Sequence, residues 1–324
     1  MPAVTADDPL VLPRIRPLVA DDPQARAVRG VVPGLRAVEG AGFVVHRPFP
    51  GALPAELTDP FVLLDHMGPV VHEPGGATGA PWHPHRGFET VTYLIDGELA
   101  HHDTHGGGGV IRAGDTQWMT AGSGLLHDEL PTEKLYTSGG EFHGVQLWVN
   151  LPRADKFLPP KYQAIEGRDL TLLASSDGGA LIRVVAGDLD GHAGPGSTHT
   201  PIVYLHATVS PGAELVLPWP EAYNAFAFVL TGSGSAGSDR APIGQHDLAV
   251  FGAGDRVAVR AADGVDEPLD VLVLGGLPIG EPIFQYGPFV MNDKAGIIQA
   301  VEDYQAGKLG VIPPGQEGPR SYAN

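Results

Sequence analysis

Along most of the chain, apolar and polar residues alternate in short runs separated by glycine and proline, the period of a β-strand with one buried face. In the first half the runs are VTYLI (91–95), ELAHHDT (98–104), TQWMT (116–120) and VQLWVN (145–150). In the second half they are LIRVVAG (181–187), PIVYLHATV (201–209), AELVLPW (213–219), NAFAFVL (224–230), DLAVF (247–251), RVAVRA (256–261) and LDVLVLG (269–275). Asp96-Gly97 predicts a two-residue hairpin turn between the first two runs. Residues 1 to about 40 show little periodicity and read as an irregular arm. YLIDG (93–97) and FVLTG (228–232) occupy matching places in the two halves, so two similar β-barrels in tandem are expected. The proline-flanked LPRADKFLPPKYQ (151–163) reads as the linker, which divides an all-β chain into 1–155 and 156–324. One helix is predicted near the end. Asn292 caps it, Asp293 suits its positive terminus, Ile297, Ile298, Val301 and Tyr304 form its apolar face, and Gly307 closes it.

Composition narrows the chemistry. The 324 residues contain no cysteine, so disulfides, thiolate metal sites and cysteine nucleophiles are excluded and any metal must be held by nitrogen and oxygen. The formal charge of −18 argues against direct nucleic-acid binding, which needs a basic footprint. The N-terminus lacks a basic start followed by an apolar core, and no apolar run is long enough to span a bilayer. A cytoplasmic protein with no membrane contact is therefore the expectation.

Ten of the fourteen histidines fall between His46 and His143, which places the chemistry in the first half. PWHPHRGFETVTY (81–93) carries His83 and His85, two residues apart and so on one face of a strand. The same parity runs on through Glu89, Val91 and Tyr93. GLLHDELP (124–131) carries a second pair, His127 and Glu129, likewise on one face. A single H-x-H is common by chance in a histidine-rich chain. Two such pairs flanking strands of one barrel favour a divalent transition metal bound by three imidazoles and a carboxylate. Spacing alone leaves the carboxylate open between Glu89 and Glu129.

HPHRGFETVTYLIDGELAH (83–101), GDTQWMTAGSGLLHDELP (114–131), VQLWVNLP (145–152), DPFVLLDH (59–66) and GPFVMN (287–292) resemble the pirin family of the cupin superfamily. The resemblance runs from roughly Asp59 to Tyr304. It implies a bicupin, two jelly-roll β-barrels facing each other, with a single iron(II) site in the first, or another divalent transition metal there. By that resemblance the ligands are His83, His85, His127 and Glu129, and Glu89, the carboxylate of the general cupin motif, stays as a rival ligand or a neighbouring partner. Sliding YLIDG onto FVLTG puts Pro218 and Pro220 where His83 and His85 stand, so the second barrel is expected to have lost the site.

Other stretches read more plainly. HHDTHGGGG (101–109) is a polar hairpin arm running into a glycine loop, and GSGSAGS (232–238) is a turn that lacks the ending of a phosphate loop. Phe88, Trp118, Met119 and Trp148 read as barrel core. Four ligands on an octahedral ion leave about two positions open, enough for a chelating enolate and dioxygen. Pirin relatives with quercetinase activity imply a dioxygenase that opens flavonols with loss of carbon monoxide. Glu129 or Glu89 would be the base, with Arg86 and His143 holding an anionic oxygen in the cleft between the barrels. The alternative from the same family is a metal-binding regulatory module that docks on a transcription factor or a metabolic enzyme.

Overall fold

The structure, a computed structural model, describes residues 4–6, 11–22, 24–314 and 316. The expected strands form, and they close into two barrels, each a seven-stranded sheet against a four-stranded one. In the first barrel the large sheet runs Lys161–Ile165, Thr116–Thr120, Phe88–Asp96, Gly140–Asn150, Phe61–His72, Phe43–Phe49, Leu35–Glu39. It covers Ala80–His85, Leu125–Pro131, Glu98–Asp103 and Gly108–Arg112. In the second, Val28–Pro33, Asp247–Phe251, Phe226–Thr231, Leu269–Gly276, Ile202–Val209, Ala180–Ala186 and Thr171–Ala174 face Glu214–Pro218, Arg256–Ala261, Ser233–Ala236 and Ala241–Gly244.

The two large sheets pack face to face. Val91, Tyr93, Trp118, Val145, Leu147 and Val149 from one side meet Tyr204, Phe226, Phe228, Leu248, Leu272 and Leu274 from the other. Each such side chain contributes roughly 1.5–3 kcal/mol on burial, so this layer holds the barrels face to face.

Several expectations change. Phe88–Asp96 and Glu98–Asp103 are not a hairpin, because the first pairs only within the large sheet and the second only within the small one. At Asp96-Gly97 the chain turns a barrel corner instead, with Gly97 at a φ of 90°. The leading arm is partly regular. Val28–Pro33 pairs with Asp247–Phe251 of the second barrel, and Lys161–Ile165 pairs with Thr116–Thr120 of the first. Strands therefore cross the 155/156 division in both directions. Ser233–Ala236, within the expected turn, is a strand.

The late helix spans Lys294–Gln305, and its cap is Asp293, whose side chain accepts from Gly296 N–H. Asn292 is buried and donates to Glu281 and to the Pro282 carbonyl. The helix buries Ala300, with Ile297 and Val301 packed beside it against Leu126, Phe289 and Leu309, while Ile298 and Tyr304 stay exposed. A small residue at 300 lets the helix lie close on the outer side of the histidine-bearing strands, and that decides which face is inward.

Candidate metal centre

Two adjacent strands of the small sheet carry the histidines. Ala80–His85 and Leu125–Pro131 run antiparallel with His127 opposite His83 and Leu125 opposite His85. The three rings converge at centroid distances of 4.3 to 4.8 Å, and their ligand nitrogens lie within 4.8 Å of one another. His83 Nδ1–H donates to the Pro81 carbonyl at 2.7 Å and His85 Nδ1–H to the Pro288 carbonyl at 3.3 Å. Those bonds fix the tautomer and leave each Nε2 as an acceptor. His127 Nε2 is buried with no hydrogen-bond partner, a costly arrangement unless something else fills the space. Burial, and for His85 and His127 the neighbouring imidazoles, hold all three rings below their ordinary pKa. They are thus neutral near pH 7, as metal ligation requires.

Glu129 stands one strand position pair further on, opposite His101. Thr92 Oγ1 and Gln146 Nε2 donate to its carboxylate at 2.8 Å each, and Gln117 Nε2 donates as well. The three donors come from three strands of the large sheet, so the carboxylate is held rigidly across the barrel interior. Its oxygen groups with His127 and His101 rather than with all three histidines at once, and His127 is common to both sets. Glu129, Thr92 and Gln146 line a cavity of about 530 Å³ whose walls include Phe43, Met67, Val70 and Phe142. An apolar cleft with a few convergent polar groups is the usual form of a small-molecule site.

Comparison with known proteins decides the family. The Pirin model matches residues 42–149 and the Pirin C-terminal cupin domain matches 204–310. The chain belongs to the pirin family. A pirin-like protein of Solanum lycopersicum is 42% identical over 84% of this chain and 89% of its own length. Human pirin is 38% identical over 84% and 90%. A crystal structure of quercetin 2,3-dioxygenase from Acinetobacter baumannii superposes with a TM-score of 0.83 at 38% identity, covering 89% of this chain and 99% of that one.

Within this pirin the other expected residues fall elsewhere. Glu89 is buried but faces away from the histidines, where Thr120 and Thr198 donate to it at 2.7 and 2.9 Å. Parity fails because the chain leaves the small sheet at Arg86-Gly87 and enters the large one. Gly87 has a φ of 92°, and a Cβ there would meet the Val290 carbonyl. Lys156 locks that turn by donating to the Gly87 and Val290 carbonyls. Glu89 consequently shares its face with Val91 and Tyr93, which pack into the layer between the barrels, while Glu129 is the carboxylate that groups with His127. Arg86 is engaged by Asp303 at 2.8 Å and the Ser123 carbonyl at 2.7 Å, tying the late helix to the barrel. His143 lies in the seam between the sheets, bonded to His66, so neither residue faces the cavity.

His101 is the residue that the sequence reading set aside as part of a polar hairpin arm. It is fully buried, its Nδ1 is 3.3 Å from His127 Nδ1, and its ring stacks on Tyr162. The signal was its parity with Leu99, which points inward. In the second barrel the interior positions are Leu215, Leu217, Trp219, Val257 and Val259. Pro218 alternates out of that row, so apolar side chains rather than prolines occupy the interior.

Proposed function

We propose that this pirin is a metal-dependent dioxygenase that opens flavonols such as quercetin at a mononuclear iron(II) site held by His83, His85, His127 and Glu129. The observation that supports the reading is the convergence of three neutral imidazoles, one with an unpartnered buried nitrogen, beside Glu129, whose carboxylate groups with His127 and lines a largely apolar cavity. The donor set fits a divalent transition ion. Bound there, iron would supply Lewis acidity and access to dioxygen. The chain's own residues do the rest. Apolar walls receive the flat ring system, Glu129 takes the proton of the 3-hydroxyl, and Thr92, Gln117 and Gln146 keep that carboxylate aimed at it. The similarity to a quercetin 2,3-dioxygenase over almost the whole chain supports the same substrate class. Residues 1–155 and 156–324 are taken as the two domains and the cytoplasm as the location. The described residues include no helix long and apolar enough to cross a membrane.

The test is anaerobic loading with ferrous iron, then admission of oxygen with quercetin, following loss of flavonol absorbance and release of carbon monoxide. Turnover abolished by chelation and by His127→Ala is expected. A fully loaded protein that turns over no flavonol would transfer the assignment to the regulatory module, for which a metal-dependent protein partner would then be sought.

A further inference from the structure

Among the mostly apolar side chains of the seam between the large sheets, which also holds the buried Glu89 and His206, runs a line of imidazoles. His46 stacks on His246 with ring centroids 3.7 Å apart. His246 Nδ1 lies 3.1 Å from His66 Nδ1, and His66 Nε2 lies 2.7 Å from His143 Nε2. His66 is fully enclosed and gives both ring nitrogens to other imidazoles. The two ends of the line open on different spaces. His46 and His246 line the cavity that contains Glu129. His143 lines a second cavity of about 330 Å³, whose wall carries Asp96, Glu141, Glu267 and Asp270. His246 is held at a φ of 69°, a conformation disfavoured for a residue with a side chain. Its backbone is fixed on both sides, its N–H donating to the Val229 carbonyl and its carbonyl accepting from Gly34 N–H.

Aliphatic and aromatic side chains fill most of this layer and would fill this line too, so the imidazoles call for another reason. A neutral imidazole has one N–H and one acceptor nitrogen. If His246 donates to His66, then His66 has its proton on Nε2 and donates to His143, and the opposite order is equally complete. A row with two fully bonded orders passes a proton from end to end by switching between them. We propose that His246, His66 and His143 are a proton relay, carrying the proton that the substrate loses out of the Glu129 cavity into the acid-lined cavity across the seam. The proposal rests on the flavonol reading of the site.

The balance is simple. The O–H bond of the 3-hydroxyl breaks as Glu129 takes the proton, and the flavonolate accumulates only once that proton has left Glu129. The proton crosses the cavity on solvent or on the substrate's own hydroxyls to the His246 nitrogen not engaged with His66. A different proton leaves His143 for the acidic wall and solvent, no electron moves, and the row is left in the second of its two bonded orders. Opening a flavonol with loss of carbon monoxide leaves a carboxylate, so one proton departs per turnover, and a flat ligand between Phe43, Val70 and Phe142 closes the direct way out. Burial and mutual proximity lower the pKa of all three rings, to about 4 for His143 and His246. The row is uncharged at rest and does not trap the proton it passes.

The test needs no turnover. Protein loaded with nickel(II) or iron(II) is mixed with quercetin without oxygen, and formation of the flavonolate is followed by its red-shifted absorbance. His66→Phe is expected to slow this step by about tenfold or more, with metal content and quercetin affinity unchanged. The variant's rate should rise with buffer concentration while the wild-type rate does not, since its proton must then leave by the mouth. His143→Gln, at the exit, should behave alike and serves if His66→Phe does not fold. Wild-type rates and buffer independence in a folded variant overturn the relay alone. Absence of any flavonolate in the loaded wild-type protein overturns the reading of the site, and the relay with it.

Discussion

The two barrels share a fold and differ in what fills them. The second is filled by apolar side chains, with Ile182, Leu205, Leu217, Val229, Val259 and Val271 packing from both sheets into one cluster. The first has only small apolar clusters, such as Leu94, Leu99 and Ile111, set around His83, His85, His127, His101 and Glu129. Burying those polar groups costs stability unless each finds a partner. One barrel therefore supplies the stability of the pair, and the other uses it to hold a reactive interior.

The sharpest way to break this contrast is to remove the shared ligand. His127→Ala should abolish stoichiometric metal binding, read by metal analysis of purified protein, while His206→Phe in the second half should leave it intact. Next in size is the converse experiment. Leu217→Ala should lower unfolding stability by about 2–5 kcal/mol in denaturant melts with metal content unchanged, and equal metal loss would show that the halves do not divide these tasks. Smaller still, Gln146→Leu removes one of the donors that fix Glu129 and should weaken metal affinity about 10–100-fold in competition titrations, with little change in melting temperature.

The smallest effect is on pH dependence. His143 and His246 have folded values near 4, below the ordinary 6.5. The unfolded chain thus binds more protons, and their contribution, present above about pH 6.5, is lost as pH falls towards 4. Groups facing them are His46, His66, His206, Asp247 and Asp270. His246→Phe should flatten the acid decline of the melting temperature, and an unchanged slope would mean that His246 takes no part in it.

The sequence made strands and ligand pairs legible because both depend on local period. Alternation marks Thr116–Thr120 or Ile202–Val209 without knowledge of partners, and His127 with Glu129 needs only spacing two. Illegible were the features set by the choice of sheet. Asp96-Gly97 has the residues of a hairpin whether the next strand pairs back or turns a corner. Glu89 keeps its parity on paper because nothing local shows that Gly87 carries the chain into the other sheet. The helix face was misjudged for a similar reason, since Ile298 is as apolar as Ile297, and only the close approach at Ala300 selects between them.

The exchange of strands between barrels bears on how the molecule comes into being. Val31 sits opposite Ala249, and Ala164 opposite Gln117. During synthesis the first half emerges without the strand that closes its own edge, carrying one that belongs to a partner not yet made. Pairings so distant in sequence form slowly, and each unclosed edge is open to pairing with another chain in the meantime. Neither half is a finished object on the ribosome. Severing the chain between residues 151 and 160 would leave two fragments, each lacking an edge strand that the other holds, that recover the fold only by finding each other.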